Sequence, residues 1–362
     1  MKAAVLESIG SDFTFADIDV AEPEGVEVLI DVKASGLCHT DLTLSRHDLG
    51  IRVPAVYGHE VAGVVAAIGP DVRDLRVGDH VVACSIQSCG TCAKCTGGRT
   101  YLCSNPSFTL RSEGDAPRLS RDGKPVSQFF GIGGFAEQVL IHEHQLVAID
   151  KEIDFAPAAL LGCGVVTGAG AVLNSANVQQ GDSVVVVGAG GVGLSAISGA
   201  RIAGATRIIA IDIQEAKLER ARRFGATDTI NSSETDPAKA VLALTDGGVN
   251  HVFDFVGNKA VTEQGIRMLA HGGGLYLIGV SGTPSNFEVE NFNTINNQIR
   301  IQGVIMGSSN FKADIPMYAE LYRQGRMNLN ELISKRISLG ELNEGFAALS
   351  DPGTARVVIT SF

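Results

Sequence analysis

Four thiols lie close together in Cys89, Cys92, Cys95 and Cys103, separated by two, two and seven residues. In a cytosolic protein, reduced thiolates so spaced suit a tetrahedral zinc ion better than disulfides. Four protein sulfurs close the coordination sphere and leave no position for substrate, so the site's role is structural. Adventitious cysteines, a redox pair or a nucleic-acid-binding zinc ribbon are the other readings. A second set is dispersed: Cys38 in Gly36-Leu37-Cys38-His39-Thr40-Asp41, His59 in Gly58-His59-Glu60, and Cys163 in Gly162-Cys163-Gly164. Two thiolates and one imidazole with an open fourth position describe a catalytic zinc site. Taken singly, Cys163 reads as a small buried hydrophobe, His59 as a hydrogen-bonded core residue and Cys38 as a loop thiol. Spacing alone leaves both readings open.

A third element of chemistry is Gly188-Ala189-Gly190-Gly191-Val192-Gly193, a Gly-x-Gly-x-x-Gly match. The β-branched run Val184 to Val187 leads in, a helix candidate from Val192 to Ala203 leads out, and the next strand ends in Asp212, 19 residues after Gly193. That is the βαβ layout of a dinucleotide site. Gly188 permits the tight turn, Gly190 admits a pyrophosphate to the backbone, and Gly193 lets helix pack on strand, while the helix N-terminus offers free N–H donors. Asp212 suits the adenosine ribose hydroxyls and repels a 2′-phosphate. Residues 213 to 216 carry no Arg or Lys to offset that repulsion, with Lys217 further along the helix, so NAD is preferred over NADP. A glycine-rich turn without a ligand, and a plain surface Asp, are the bland alternatives.

Placing these groups requires two kinds of scaffold. Short strand candidates fill the first 150 residues: Lys2 to Glu7, Phe13 to Asp17, Val26 to Ala34, Val61 to Ile68, His80 to Cys84 and Phe135 to Ile141. Residues 103 to 131 break into an aperiodic surface excursion, of a kind that is usually functional or at an interface. From about 165, strands at 183–187, 207–211, 227–230, 251–256 and 274–278 alternate with helices such as 214–224 and 259–270, which predicts a parallel sheet covered on both faces. A last strand at 300–306 and a helix at 315–325 follow. At 362 residues the chain suits two domains. No stretch approaches the roughly 18 consecutive apolar residues of a membrane span, and the first ten residues lack a secretory pattern, so the expected location is the cytoplasm. A formal charge of −11 repels phosphate backbones, which disfavours nucleic acid as a partner.

Gly58-His59-Glu60-x2-Gly63 followed by Gly69, then the four-cysteine run, Leu161 to Gly164, the glycine loop and the tail Ala355 to Ile359 stand in one order along the chain. The whole chain thereby resembles the zinc-containing medium-chain alcohol dehydrogenases. The resemblance implies an α/β architecture: a GroES-like β-rich catalytic domain (1–164 and 306–362) carrying both zincs, and a Rossmann NAD-binding domain with a doubly wound parallel sheet (165–305), the active site lying in the cleft. It implies two zinc ions per subunit, with Cys38, His59 and Cys163 on the catalytic one. Glu60 and Asp41 would stand behind them, Asp41 orienting His59. His39 and Arg356 would meet the NAD pyrophosphate. The metal would lower the pKa of a bound alcohol, hydride would pass to nicotinamide, and the Thr40 hydroxyl would carry the proton away. Many relatives end that relay at a histidine five residues after the first ligand, where this chain has Thr43; His47 or water would substitute, while His47 by itself reads as a solvated surface histidine.

Some relatives narrow the substrate pocket with an aromatic residue four places before the first structural cysteine, where this chain has Ser85. A wider pocket follows, for bulky primary alcohols (aryl, allylic or terpenoid) and their aldehydes. Leu49 and Ser107 stand where glutathione-dependent formaldehyde dehydrogenases carry anchoring polar or charged groups, which disfavours that activity. The alternatives are an aliphatic or secondary alcohol dehydrogenase, a zinc-free quinone or enone reductase, and a non-catalytic structural relative. Retention of all seven metal ligands argues against the last two. The long 104–130 segment resembles that of dimeric relatives, so a homodimer is expected.

Overall fold

The computed structural model describes residues 1–48, 50–112, 114–280, 286–351 and 353–362. They form two compact units, Met1–Cys163 with Asn310–Phe362, and Gly164–Ser309. The boundaries thus fall after Cys163 and Ser309, where the sequence suggested 164 and 305.

The first unit is built around the strand Glu27–Leu37, which pairs with Glu60–Ile68, Gln138–His142 and the last strand of the chain, Arg356–Ser361. Val28, Ile30 and Val32 alternate along it and enter a core with Val61, Val65, Val81 and Ile141, as a period of two demands of a sheet with one covered face. The returning strand sets Val357 opposite Leu37 and Val358 opposite Gly36. That register brings Arg356 beside the turn at Cys38, with its Nη1 3.4 Å from the Leu37 carbonyl.

The 103–131 excursion holds more structure than its composition suggests. Leu119–Arg121 and Lys124–Pro125 form a hairpin. Asp122 and Gly123 turn it with φ of 51° and 72°, the left-handed pair that a two-residue hairpin loop needs. The Asp-Gly dipeptide was the legible signal. The excursion is fastened by Glu27, whose Oε1 accepts from Arg118 Nε at 2.7 Å and whose Oε2 accepts from Arg111 Nη2 at 2.6 Å. Burial works to raise the Glu27 pKa, but these two guanidinium groups outweigh it and hold it near 2, below the ordinary 4.5. A depressed carboxylate pKa stabilises the fold fully above pH 4.5, and that contribution is lost as pH falls toward 2. Glu27→Gln leaves Arg118, 7% exposed, without its counter-charge. The expected cost is about 3–5 kcal/mol, read as a lower urea midpoint at pH 7 and a gap from wild type that narrows as the pH approaches 2.

Phe155–Ser175 corrects the sequence reading on one point. By length and composition this 21-residue helical run would cross a membrane, yet 89% of its most apolar 18-residue window is buried inside the protein. Its apolar character is that of a core helix.

The second unit carries a six-stranded parallel sheet in the order 228–231, 207–212, 183–187, 249–254, 269–277, 300–303. The helices Gly191–Ala203 and Glu215–Phe224 each end on a left-handed glycine, Gly204 and Gly225. Helix Pro237–Leu244, which the sequence reading passed over, starts where the Asp236 carboxylate accepts from the Ala238 and Lys239 amides. The helix expected over 259–270 stops at Arg267, and the following strand starts at Leu269 instead of 274. An irregularity in its pairing with Val249 and His251 absorbs the glycines at 272 to 274 without ending the strand.

Candidate active site

The dispersed residues meet within the first unit. Cys38 is the N-cap of the helix His39–Arg46, directly after Glu27–Leu37. His59 stands directly before the strand Glu60–Ile68, which Glu60 opens, and follows Gly58, whose φ of 90° and contact with Phe135 exclude a side chain. Cys163 lies on a π-helical turn, Leu161–Val165, a local widening that often marks functional positions. One ligand atom from each of Cys38, His59, Glu60 and Cys163 lies within 4.8 Å of all the others, and all four residues are buried.

Asp41 fixes the imidazole. Its Oδ1 accepts from His59 Nδ1 at 2.9 Å and from the Gly58 amide at 3.2 Å, and its Oδ2 accepts from the Cys38 amide at 3.1 Å. His59 Nδ1 is thereby engaged and Nε2 is left as the donor for a metal. The Thr40 hydroxyl lies 3.6 Å from Cys38 Sγ. The hydrogen bond between the two thiols, with burial and the Cys38 charge, holds the Cys163 thiol up, and the same bond holds Cys38 well below the ordinary thiol range.

Glu60, expected behind the ligands, has a carboxylate oxygen within 4.8 Å of the ligand atoms of Cys38, His59 and Cys163. Gly36 makes room for it: a Cβ there would sit 2.2 Å from Glu60 Oε2. Arg356 Nη1 lies 3.4 Å from Glu60 Oε1, yet neither carboxylate oxygen accepts a hydrogen bond. Burial raises the Glu60 pKa to about 7 against the pull of Arg356. A buried carboxylate without donors beside two thiols and an oriented imidazole is a donor set short of one cation, and its N, S and O character fits zinc.

The four-cysteine set also closes on itself, with its sulfurs within 4.8 Å of one another. Amides of Cys89 and Asn105 point at Cys103 Sγ (3.3 Å each), and the Cys92 amide points at Cys89 Sγ (3.4 Å). Three N–H donors aimed at two sulfurs, with all four sulfurs gathered in one cluster, fit a closed zinc site.

In the second unit the three glycines of the loop differ in what they allow. Gly188 has φ of 94°. A Cβ on Gly193 would lie 1.9 Å from the Gly188 carbonyl, whereas one on Gly190 would meet nothing within 4 Å. Open space over Gly190, at the N-terminus of the helix Gly191–Ala203, is room for a ligand and not for the protein's own packing. Val192 lies in the first turn of that helix. Asp212, 9% exposed, accepts from the Ala189 amide at 2.9 Å and the Gln214 amide at 3.1 Å, which ties the strand end to the glycine loop.

Residues 24–151 match the alcohol dehydrogenase GroES-like domain family, and residues 191–320 match the zinc-binding dehydrogenase family. S-(hydroxymethyl)glutathione dehydrogenase of Escherichia coli is 38% identical over 99% of this chain and 99% of its own length. The chain belongs to the zinc-containing medium-chain alcohol dehydrogenase family. It is an oxidoreductase of that type. Among solved structures, benzyl alcohol dehydrogenase from Acinetobacter calcoaceticus superposes with a TM-score of 0.93 at 35% identity, over 100% of this chain and 99% of that one. An alcohol dehydrogenase zinc-binding domain protein from Burkholderia ambifaria gives 0.94 at 38% identity, over 100% and 98%.

The remaining site residues of this dehydrogenase are placed less uniformly. His39 is exposed at the start of its helix, and Lys217 is half-buried on Glu215–Phe224. Arg356, expected against a pyrophosphate, is 4% exposed and faces Glu60. Ser85 is half-buried, Thr43 half-buried and His47 exposed. Ser107 is exposed, its hydroxyl donating to Asn105 at 3.1 Å. Leu49 lies outside the described residues. Sequence reasoning missed Phe129 and Phe130, whose rings stand 5.8 and 5.5 Å from the His59 imidazole, Phe130 edge-on at 88°. Phe130 has φ of 52°, unusual for a bulky residue, and Gln145 Nε2 donates to its carbonyl at 3.0 Å. Nothing in an isolated Phe-Phe-Gly announces that placement.

Proposed function

We propose that this dehydrogenase oxidises a bulky primary alcohol, aryl, allylic or terpenoid, to its aldehyde, reversibly, with NAD as hydride acceptor. The observation that carries the reading is Phe130: a half-buried aromatic ring set against a candidate ligand, which offers an aryl or allylic carbinol a π face or edge. The half-buried Ser85 stands where some relatives carry an aromatic residue that narrows the pocket. The likeness to a benzyl alcohol dehydrogenase points the same way. A zinc ion on Cys38, His59 and Cys163 would supply Lewis acidity that lowers the pKa of an alcohol. The protein's own part is to orient His59 through Asp41, to keep Glu60 and Arg356 paired behind the ligands, and to offer the Thr40 hydroxyl to the departing proton. The carboxylate of Asp212 favours NAD over NADP. By the family likeness, His39 and Lys217 would meet the cofactor.

The likeness to S-(hydroxymethyl)glutathione dehydrogenase supports a second reading, and one panel decides between them. Zinc-quantified protein is assayed for NAD reduction on ethanol, hexanol, benzyl and cinnamyl alcohols, geraniol, and formaldehyde with glutathione. The expected result is the highest kcat/KM on benzyl or allylic alcohols. Phe130→Ala should reduce the preference for benzyl alcohol over hexanol about three- to tenfold, the worth of one aromatic contact. Highest turnover of the glutathione adduct would establish the second reading, and activity on ethanol alone would sink the wide pocket.

We also propose a homodimer. The edge strand Arg300–Gly303 is largely exposed, with Phe292 and Ile295 beside it in sequence at 72% and 74% exposure. An unpaired edge with apolar neighbours invites antiparallel pairing with its own copy about a two-fold axis. Light scattering should give twice the chain mass, and Phe292→Lys with Ile295→Lys should give the monomer; tetramer mass for the wild type would reject the proposal.

A further inference from the structure

The parallel sheet changes its direction of growth between Ser183–Val187 and Val249–Asp254. In open α/β sheets, ligands bind outside the carboxyl ends of the strands at such a reversal. The glycine loop leaves the first of these strands, and Asp254 ends the second.

Asp254 is 1% exposed and gathers three segments. Its Oδ1 accepts from the Val256 amide at 2.8 Å and the Gly257 amide at 2.9 Å, and its Oδ2 accepts from the Thr262 hydroxyl at 2.8 Å. Its backbone carbonyl accepts from the Ile278 and Gly279 amides, both at 2.9 Å. The next residue, Phe255, donates its amide to the Val187 carbonyl at 3.0 Å. The crossing is tight: a Cβ on Gly257, which has φ of 75°, would lie 2.2 Å from the Gly279 carbonyl, and one on Gly279 would lie 2.6 Å from the Gly257 amide nitrogen.

The knot places Val256 against the glycine loop. A Cβ on Gly188 would lie 3.2 Å from Val256 Cγ2 and 3.5 Å from Phe255 Cβ, while Val256 keeps 38% of its surface exposed. A valine 38% exposed and held in place by a buried carboxylate at the strand reversal offers an apolar wall beside the glycine loop. We infer that Asp254 is a positioning residue for the dinucleotide, its carboxylate holding Val256 and Gly257 as the crevice wall that faces Gly188–Gly193. The inference rests on the reading of that loop as the NAD site.

The side chain acts as a double acceptor for two backbone amides, so an amide oxygen replaces it and a methyl does not. NADH binding to the zinc-loaded full chain is followed by nicotinamide fluorescence, in a protein that contains no Trp. Asp254→Ala should raise the NADH Kd and the KM for NAD about tenfold or more, the consequence of two amides losing their acceptor. Its kcat at saturating NAD and its zinc content should stay close to wild type, and Asp254→Asn should restore most of the affinity. An unchanged Kd in Asp254→Ala, or an Asn variant as weak as the Ala variant, overturns the inference. Should Asp254→Ala fail to fold, Thr262→Val decides: it removes one partner at nearly constant shape and should raise Kd about threefold with kcat unchanged, and an unchanged Kd overturns the proposal. Gly190→Val, with open space around its Cβ, separates the two layers. If it binds NADH as tightly as wild type, the NAD reading of the loop fails; if it loses NADH while the Asp254 and Thr262 variants do not, only the positioning role fails.

Discussion

Cys163→Ala is expected to hold one zinc per chain, where the wild type is expected to hold two, and to lose at least about three orders of magnitude in kcat/KM. Metal Lewis acidity is worth several kcal/mol, and each 1.36 kcal/mol is about tenfold in rate. Losing it outright therefore costs about 10³ or more, well beyond the 10- to 100-fold expected from disturbing a supporting partner such as Asp41. The fold should survive, because Cys163 to Ala removes one small buried side chain and the four-cysteine cluster is untouched. Zinc content by mass spectrometry and NAD reduction on the best alcohol are the two readouts. A variant that keeps both zincs and full turnover would remove Cys163 from the metal site. One that keeps both zincs but loses turnover would shift the metal's hold to Glu60, whose carboxylate already lies within 4.8 Å of the other ligand atoms.

Cys103→Ser should have the largest effect on stability. The lobe around it has little apolar core: Leu102, Phe108 and Leu110 are 44%, 47% and 45% exposed. Its order must come from elsewhere, and a structural zinc supplies roughly 10–16 kcal/mol in small zinc-binding peptides, as much as the whole stability of an ordinary domain at about 5–15 kcal/mol. The lobe should open locally while the core sheets persist. Limited proteolysis should then cut between Cys89 and Cys103 in the variant and not in the wild type. Tm should fall by about 10 °C or more, since roughly 1 kcal/mol corresponds to 2–4 °C in domains of this size. The catalytic zinc should remain. Segment 111 to 118 should resist cleavage, because Arg111 and Arg118 stay bound to Glu27. An undiminished Tm with the zinc lost would show that the cluster is incidental to the fold.

Features whose chemistry is written into neighbouring residues were legible in the chain. Cys89, Cys92, Cys95 and Cys103 span one short segment, and covalent spacing alone brings their sulfurs close. The glycine loop, the strand before it and Asp212 after it form a single βαβ unit, and the alternation of strand and helix from about 165 identified a covered parallel sheet. The Asp122-Gly123 hairpin was equally local and was overlooked, because the polar residues around it hid two very short strands. The apolar run Phe155–Ser175 shows the opposite limit: composition cannot distinguish burial in lipid from burial in protein.

The meeting of Cys38, His59 and Cys163 was visible from residue types only through a family likeness. Its geometry depends on how Glu27–Leu37, Glu60–Ile68 and the π turn at Leu161–Val165 pack, and a one-residue slip in the pairing of Gly36 with Glu60 would turn Glu60 to the opposite face and shift His59 away from Cys38. The approach of Glu60 to the ligands relies on the missing Cβ of Gly36, its pairing with Arg356 relies on a strand formed near the end of the chain, and Phe130 reaches His59 from a left-handed backbone position. None of these has a local sequence signal, because each is set by long-range packing. The sequence by itself determined which atoms are available for metal and dinucleotide chemistry; the tertiary structure decided which of them share a site, since sheet register and close packing set distances that spacing along the chain does not.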